Sequence, residues 1–187
     1  MQTRRLMAHL HKNIRLHRGR YIGRATHFVT ICCDDRRTVF AHNPTAFWLI
    51  EILKKQSALH GFAVQAFCVM PDHFHALVTG QHDRSNLLDF VKNFKQTTSR
   101  EYRRRQATAL WQKKFFDHIL KPNDDALAVR GYIWMNPVRK GLCVDPRDYP
   151  LSGSFAVDWN KELKPVEEWT PGWKRATQSA ESTKAPD

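Results

Sequence analysis

Cys68-Val69-Met70-Pro71-Asp72-His73-Phe74-His75-Ala76-Leu77-Val78 joins two apolar runs across a proline-centred break. The run before the break, 62–69 (Phe-Ala-Val-Gln-Ala-Phe-Cys-Val), has the length and β-branched, aromatic composition of a strand. Met70-Pro71-Asp72 interrupts it, and 73–79 predicts the next strand. Side chains alternate faces along a strand, so His73 and His75 project to one side while Phe74 and Ala76 point to the other. Protonated imidazoles so close would repel each other, whereas neutral ones form half of a divalent-metal site. The competing reading makes one histidine a satisfied core residue and leaves the other exposed.

Upstream, residues 26–33 (Thr-His-Phe-Val-Thr-Ile-Cys-Cys) predict a first strand and Asp34-Asp35-Arg36-Arg37 a polar turn. Asn43-Pro44 opens a helix, with Asn43 as its cap. Ala46, Phe47, Leu49, Ile50 and Leu53 follow at helical spacing, and Gly61 is placed to end it. Downstream, Ser85 is the expected cap of a long helix whose apolar face is Leu87, Leu88, Val91 and Phe94. Residues 110–120 are aromatic and basic and fit either a strand or irregular structure. Asn123-Asp124-Asp125 begins another helix, which Pro137 should stop at Asn136.

The order strand–helix–strand–strand–helix–(strand)–helix predicts an α+β fold, a ferredoxin-like antiparallel sheet with helices on one face. Three segments are expected. These are a basic arm over 1–20, a folded domain over 21–155, and an extension over 156–187 that ends in disorder from 174.

Lys and Arg outnumber Asp and Glu by 30 to 18, a net charge of +12, which points to a polyanionic partner and most directly to nucleic acid. Residues 1–20 alone carry six Lys or Arg and no acidic residue. The four cysteines form no C-x-x-C pair, which excludes a common zinc framework and suits a reducing cytosol. No segment approaches the roughly 18 apolar residues of a membrane span.

Tyr132 and Asn136 are one turn apart on the predicted last helix, so the Asn136 amide could sit beside the Tyr132 phenol. An ordinary polar helix face would show the same spacing. Tyr102, in an arginine-rich setting, is the rival tyrosine. Arg100, Arg103, Arg104, Arg105, Lys113 and Lys114 are candidates for holding phosphates. Trp111, Phe115 and Phe116 are candidates for stacking on unpaired bases, although core packing explains the two phenylalanines as well.

Five linked blocks then carry a resemblance. MPDHFHALV (70–78), FKQTTSREYRR (94–104), LWQKKFFDHIL (110–120), YIWMNPVRKGL (132–142) and DPRDYP (145–150) resemble the REP-associated tyrosine transposases, single-tyrosine relatives of the HUH endonucleases. The similarity spans roughly residues 20–155. It implies that His73 and His75 are metal ligands, that Tyr132 is the nucleophile, and that Asn136 stands where relatives carry a third polar ligand. It also implies Mg²⁺ or Mn²⁺, although the ligand types would suit Zn²⁺ as well. The implied partner is single-stranded, hairpin-containing DNA of repetitive extragenic palindromic elements. The implied setting is the bacterial cytoplasm and nucleoid, with the protein a monomer or homodimer. The implied reaction attacks a DNA phosphate with the tyrosine, giving a 5′-phosphotyrosine and a free 3′-OH. A phenol of ordinary pKa near 10 needs a metal or base to do this at neutral pH. Relatives tend to lead into the first strand with Gly-Thr-Trp, and here the stretch is Ala25-Thr26-His27. A nucleic-acid-binding module without chemistry is the alternative.

Overall fold

The computed structural model describes residues 17–163. Most of the expected basic arm and the expected disorder at the C-terminal end therefore lie outside the described residues.

Five strands, β1 (Thr26–Cys32), β2 (Phe62–Met70), β3 (His73–Gly80), β4 (Phe116–Ile119) and β5 (Ser152–Gly153), form one antiparallel sheet in the order β4-β1-β3-β2-β5. The first four have the ferredoxin-like arrangement expected, and β5 extends the β2 edge. Met70 pairs directly with His73, so Pro71-Asp72 is a two-residue hairpin turn. The ambiguous stretch 110–120 resolves into an isolated bridge between Cys33 and Trp111 followed by β4.

Two long helices, α1 (Asn43–Leu59) and α2 (Leu87–Arg103), cover one face of the sheet. Their apolar sides meet Val29 and Ile31 of β1, Val64, Phe67 and Val69 of β2, and Phe74, Ala76 and Val78 of β3. A third helix, α3 (Ala126–Trp134), covers the other face, where Val129, Ile133 and Trp134 pack on Phe28, Ala66, Cys68, Met70 and Leu77. The one-turn helices α4 (Asn136–Arg139) and α5 (Trp159–Glu162) complete the described chain. The two long helices share a face as expected, and α3 closes the face that carries the paired histidines.

Both helix starts differ by a residue from expectation, for a local reason. Asn43 is the first residue of α1 and His42 its cap position. At α2 the cap is Asn86, whose Oδ1 accepts from the Leu88 and Asp89 amides. Ser85 is instead buried and donates to the Gly61 carbonyl at 2.7 Å, tying the start of α2 to the end of α1. Gly61 itself has a φ of 65°, the left-handed turn that releases the chain from α1 into β2.

Candidate active site

Cross-strand register brings the site together. β1 pairs with β3 so that Thr30 opposes His75 and Cys32 opposes His73. His73 and His75 both face the α3 side and are almost fully buried, at 8% and 4% exposure. Their Nε2 atoms converge to 3.0 Å. The outer nitrogen of each ring is held separately, with His73 Nδ1 at 2.5 Å from Asp72 Oδ1 and His75 Nδ1 at 2.8 Å from Thr30 Oγ1. A carboxylate can only accept, so Asp72 keeps the His73 proton on Nδ1 and leaves Nε2 as a lone pair. Burial lowers the His73 pKa, and the Asp72 carboxylate opposes part of that shift. The net direction favours the neutral imidazole, the form that binds metal.

This donor set fits a divalent cation. Neighbouring ligands of an octahedral ion with bonds of ~2.1 Å stand ~3 Å apart, close to the separation of the two Nε2 atoms. Among the described residues no group of three His, Cys, Asp or Glu side chains is arranged to hold a metal. Any further donor to a cation held there would be of another type or come from the substrate or solvent.

Tyr132 projects from α3 onto the same face. Its ring lies edge-on to His75 and to Phe28, with centroids at 6.4 and 6.2 Å, and Phe28 in turn stacks on His75 at 5.6 Å. Asn136 is not on the helix of Tyr132, contrary to the spacing argument. α3 stops at Trp134, Met135 takes a φ of −81° and ψ of −2°, and Asn136 opens α4. The Asn136 amide turns back and donates to the carbonyls of Tyr132 and Ile133 at 3.1 and 3.2 Å. Its Oδ1 accepts from Arg139 at 3.1 Å.

The remaining sequence candidates are elsewhere. Arg100, Arg103, Arg104 and Arg105 are exposed at the end of α2 and just beyond, in the helical layer on the opposite side of the sheet. Lys113 and Lys114 are exposed between Trp111 and β4. Trp111 is not available to stack on a base. It is 6% exposed, donates to Thr98 Oγ1 at 2.8 Å, and packs on Phe40 and Phe94. Phe116 does reach solvent, at 39% exposure, and it opposes Thr30 on the histidine face. Tyr102 packs against the α1/α2 core and lines a separate hollow with Trp48 and Arg105, so the structure does not bring it to the histidines. His118 pairs with Asp124 at 3.2 Å.

Several contributors were missed. Thr30 left no sequence signal, because its role depends on register. Arg36 reaches Asp72 Oδ2 at 2.9 Å from a turn in which Asp35 and Arg36 have positive φ values of 50° and 54°. Such backbone is costly for residues with a Cβ and holds Arg36 beside the histidine turn. Arg139 lies over the Tyr132 ring, its guanidinium carbon 4.1 Å from the centroid. The block 132–142 contained it, and only the helix break explains why it points back.

Comparisons with known proteins agree with this architecture. The family model described as "Transposase IS200 like" matches residues 23–136, more than half of the chain. A Haemophilus influenzae protein assigned as a REP-associated tyrosine transposase is 28% identical over 161 residues, covering 76% of this chain and 86% of that one. The REP-associated tyrosine transposase of Escherichia coli K12 is 24% identical over 151 residues, covering 76% and 89%. A solved structure of a REP-associated tyrosine transposase bound to a REP hairpin superposes with a TM-score of 0.67 at 22% identity, over 83% of this chain and 92% of that one. That likeness shows a shared fold. The span of the family match shows the family itself, and the chain belongs to the IS200-like transposases.

Proposed function

We propose that this chain is a metal-dependent single-strand DNA endonuclease and strand transferase that acts through Tyr132 on hairpins of repetitive extragenic palindromic elements. The observation that carries the reading is the convergence of the His73 and His75 Nε2 atoms at 3.0 Å on the face where α3 presents Tyr132. The names of the relatives, and the hairpin bound by the solved neighbour, support the substrate class.

His73 and His75 supply two neutral nitrogen donors, oriented by Asp72 and Thr30. We assign Asn136 Oδ1 as the third donor; a carboxamide oxygen has two lone pairs, so the bond from Arg139 leaves one for a ligand. When bound, Mg²⁺ or Mn²⁺ polarises a non-bridging oxygen of the scissile phosphate and holds it for in-line attack. The Tyr132 oxygen gives up its proton to solvent and bonds to phosphorus, the bond to the 3′ oxygen breaks, and that oxygen takes up a proton, leaving a 5′-phosphotyrosine and a free 3′-OH. Attack by a second 3′-OH on the phosphotyrosine reverses the step and joins strands.

The test compares a hairpin carrying a single-stranded flank with a blunt duplex of the same stem, with divalent metal and with EDTA. Cleavage and a covalent protein–DNA adduct are expected only for the flanked hairpin with metal. Tyr132→Phe should abolish the adduct while hairpin binding persists, and excess metal should partly rescue His73→Ala. Equal cutting of the duplex, cutting in EDTA, or an adduct from Tyr132→Phe would overturn the mechanism. Hairpin binding with no adduct under any condition would favour a binding module.

A further inference from the structure

We propose that Arg139 is a further catalytic residue, the side chain that holds the scissile phosphate against Tyr132. The inference rests on the proposed strand cleavage and adds to it the group that meets the negative charge of the substrate.

α3 ends at Trp134, where the last carbonyls of a helix have no partner within it. Two side chains from α4 meet them. Asn136 donates to the carbonyls of Tyr132 and Ile133, and Arg139 Nη2 donates to the Tyr132 carbonyl at 2.7 Å. The same Nη2 donates to Asn136 Oδ1 at 3.1 Å. Both bonds hold the guanidinium in one place, over the Tyr132 ring and 4.1 Å from its centroid. A cation so placed interacts favourably with the ring face.

Position and charge together suggest more than a helix cap. In-line attack needs phosphorus to come within ~3–3.5 Å of the phenolic oxygen. A phosphate so placed must also come close to a cation that sits on the ring of that phenol. The guanidinium is planar and suited to paired phosphate oxygens, which a lysine cannot match. Two other cations near the histidines are less well placed. Arg36 is bonded to Asp72 Oδ2, on the hairpin turn before His73. Lys140 follows the last residue of α4 and acts on His73 through its charge.

A helix cap and a phosphate clamp predict different responses to the charge of the substrate. Binding is measured in EDTA, so that no metal contributes, with Tyr132→Phe as the uncleaving background. The probes are two flanked hairpins that differ only at the scissile linkage, one with the natural phosphodiester and one with a neutral methylphosphonate. Tyr132→Phe should bind the charged probe roughly 10- to 100-fold more tightly than the neutral one. Adding Arg139→Ala should remove most of that preference, and adding Arg139→Lys should restore part of it. In the Tyr132-containing chain with metal, Arg139→Ala should lower the single-turnover rate of adduct formation at saturating DNA by about 100-fold.

An undiminished preference for the charged probe after Arg139→Ala would overturn the clamp, whatever happens to the rate. Equal losses of affinity for both probes would do the same, since they mean that only the fold at α4 has suffered. Failure of the strand-cleavage reading is separable. A chain that never forms an adduct, yet prefers the charged probe in an Arg139-dependent way, keeps the clamp and loses the chemistry.

Discussion

Asp72 and Thr30 treat their histidines differently. A carboxylate supports one tautomer of His73, whereas a hydroxyl can donate to or accept from His75 Nδ1 and so supports either. Another histidine has no such support. His27 is fully buried on the α1/α2 side, lies parallel to Tyr21 at 6.2 Å, and neither ring nitrogen has a hydrogen-bond partner. Burial pushes its pKa from 6.5 down to about 4. Between those values the unfolded chain takes up a proton that the folded chain refuses. Stability from this residue is therefore full above pH ~6.5 and lost as pH falls towards 4, by up to about 3 kcal/mol. Urea unfolding at pH 7.5 and pH 4.5 should show His27→Phe losing less stability on acidification than the native chain. Equal losses would mean that His27 does not govern this acid sensitivity.

At the scale of elements, β2 carries a feature that its composition conceals. Phe62 and Val64 face the α1/α2 layer, and so do Phe67 and Val69, although simple alternation would put the second pair on the opposite side. A register shift between Val64 and Ala66 changes the phase. Gln65 is used at that shift, donating to Thr79 Oγ1 at 2.8 Å and accepting from Arg130 at 2.8 Å. The start of α2 shows a comparable division of labour, with Asn86 as cap and Ser85 as tie to Gly61. Asn86→Ala should cost about 1 kcal/mol and lower Tm by roughly 2–4 °C, while Asn86→Asp should be nearly neutral. A thermal melt of the three chains decides this, and an unchanged Tm in Asn86→Ala would refute the cap.

In the whole molecule, the sheet separates the paired histidines and Tyr132 from the arginines at the end of α2. The histidines and Tyr132 lie on the α3 side, whereas Arg103, Arg104 and Arg105 are exposed beyond the α1/α2 layer. With a net charge of +12, binding to DNA should weaken steeply with salt, because phosphate contacts release counterions. If the arginines grip the hairpin stem, replacing all three with Ala should flatten the log–log salt slope by roughly 2–3. The single-turnover rate at saturating DNA should stay the same, since these residues are remote from Tyr132. An unchanged slope would show that DNA takes another path over the surface.

What the sequence determined by itself follows from rules that act along the chain. Alternation placed His73 and His75 on one face, the Met70-Pro71-Asp72 break separated two strands, and helical spacing located α1, α2 and α3 within a residue or two. The linked blocks around them marked the family and singled out Tyr132. Tertiary structure decided which groups meet. Thr30 reaches His75 across 45 positions because β1 pairs with β3 in one register. Trp111 turned inward because Thr98, Phe40 and Phe94 form a site for its ring, although its basic neighbours made it look like a surface residue. Arg139 came to lie on Tyr132 because α3 breaks at Met135 and a new turn doubles back. Each of these contacts depends on strand pairing or chain reversal, which are properties of the whole packed chain that no local period encodes.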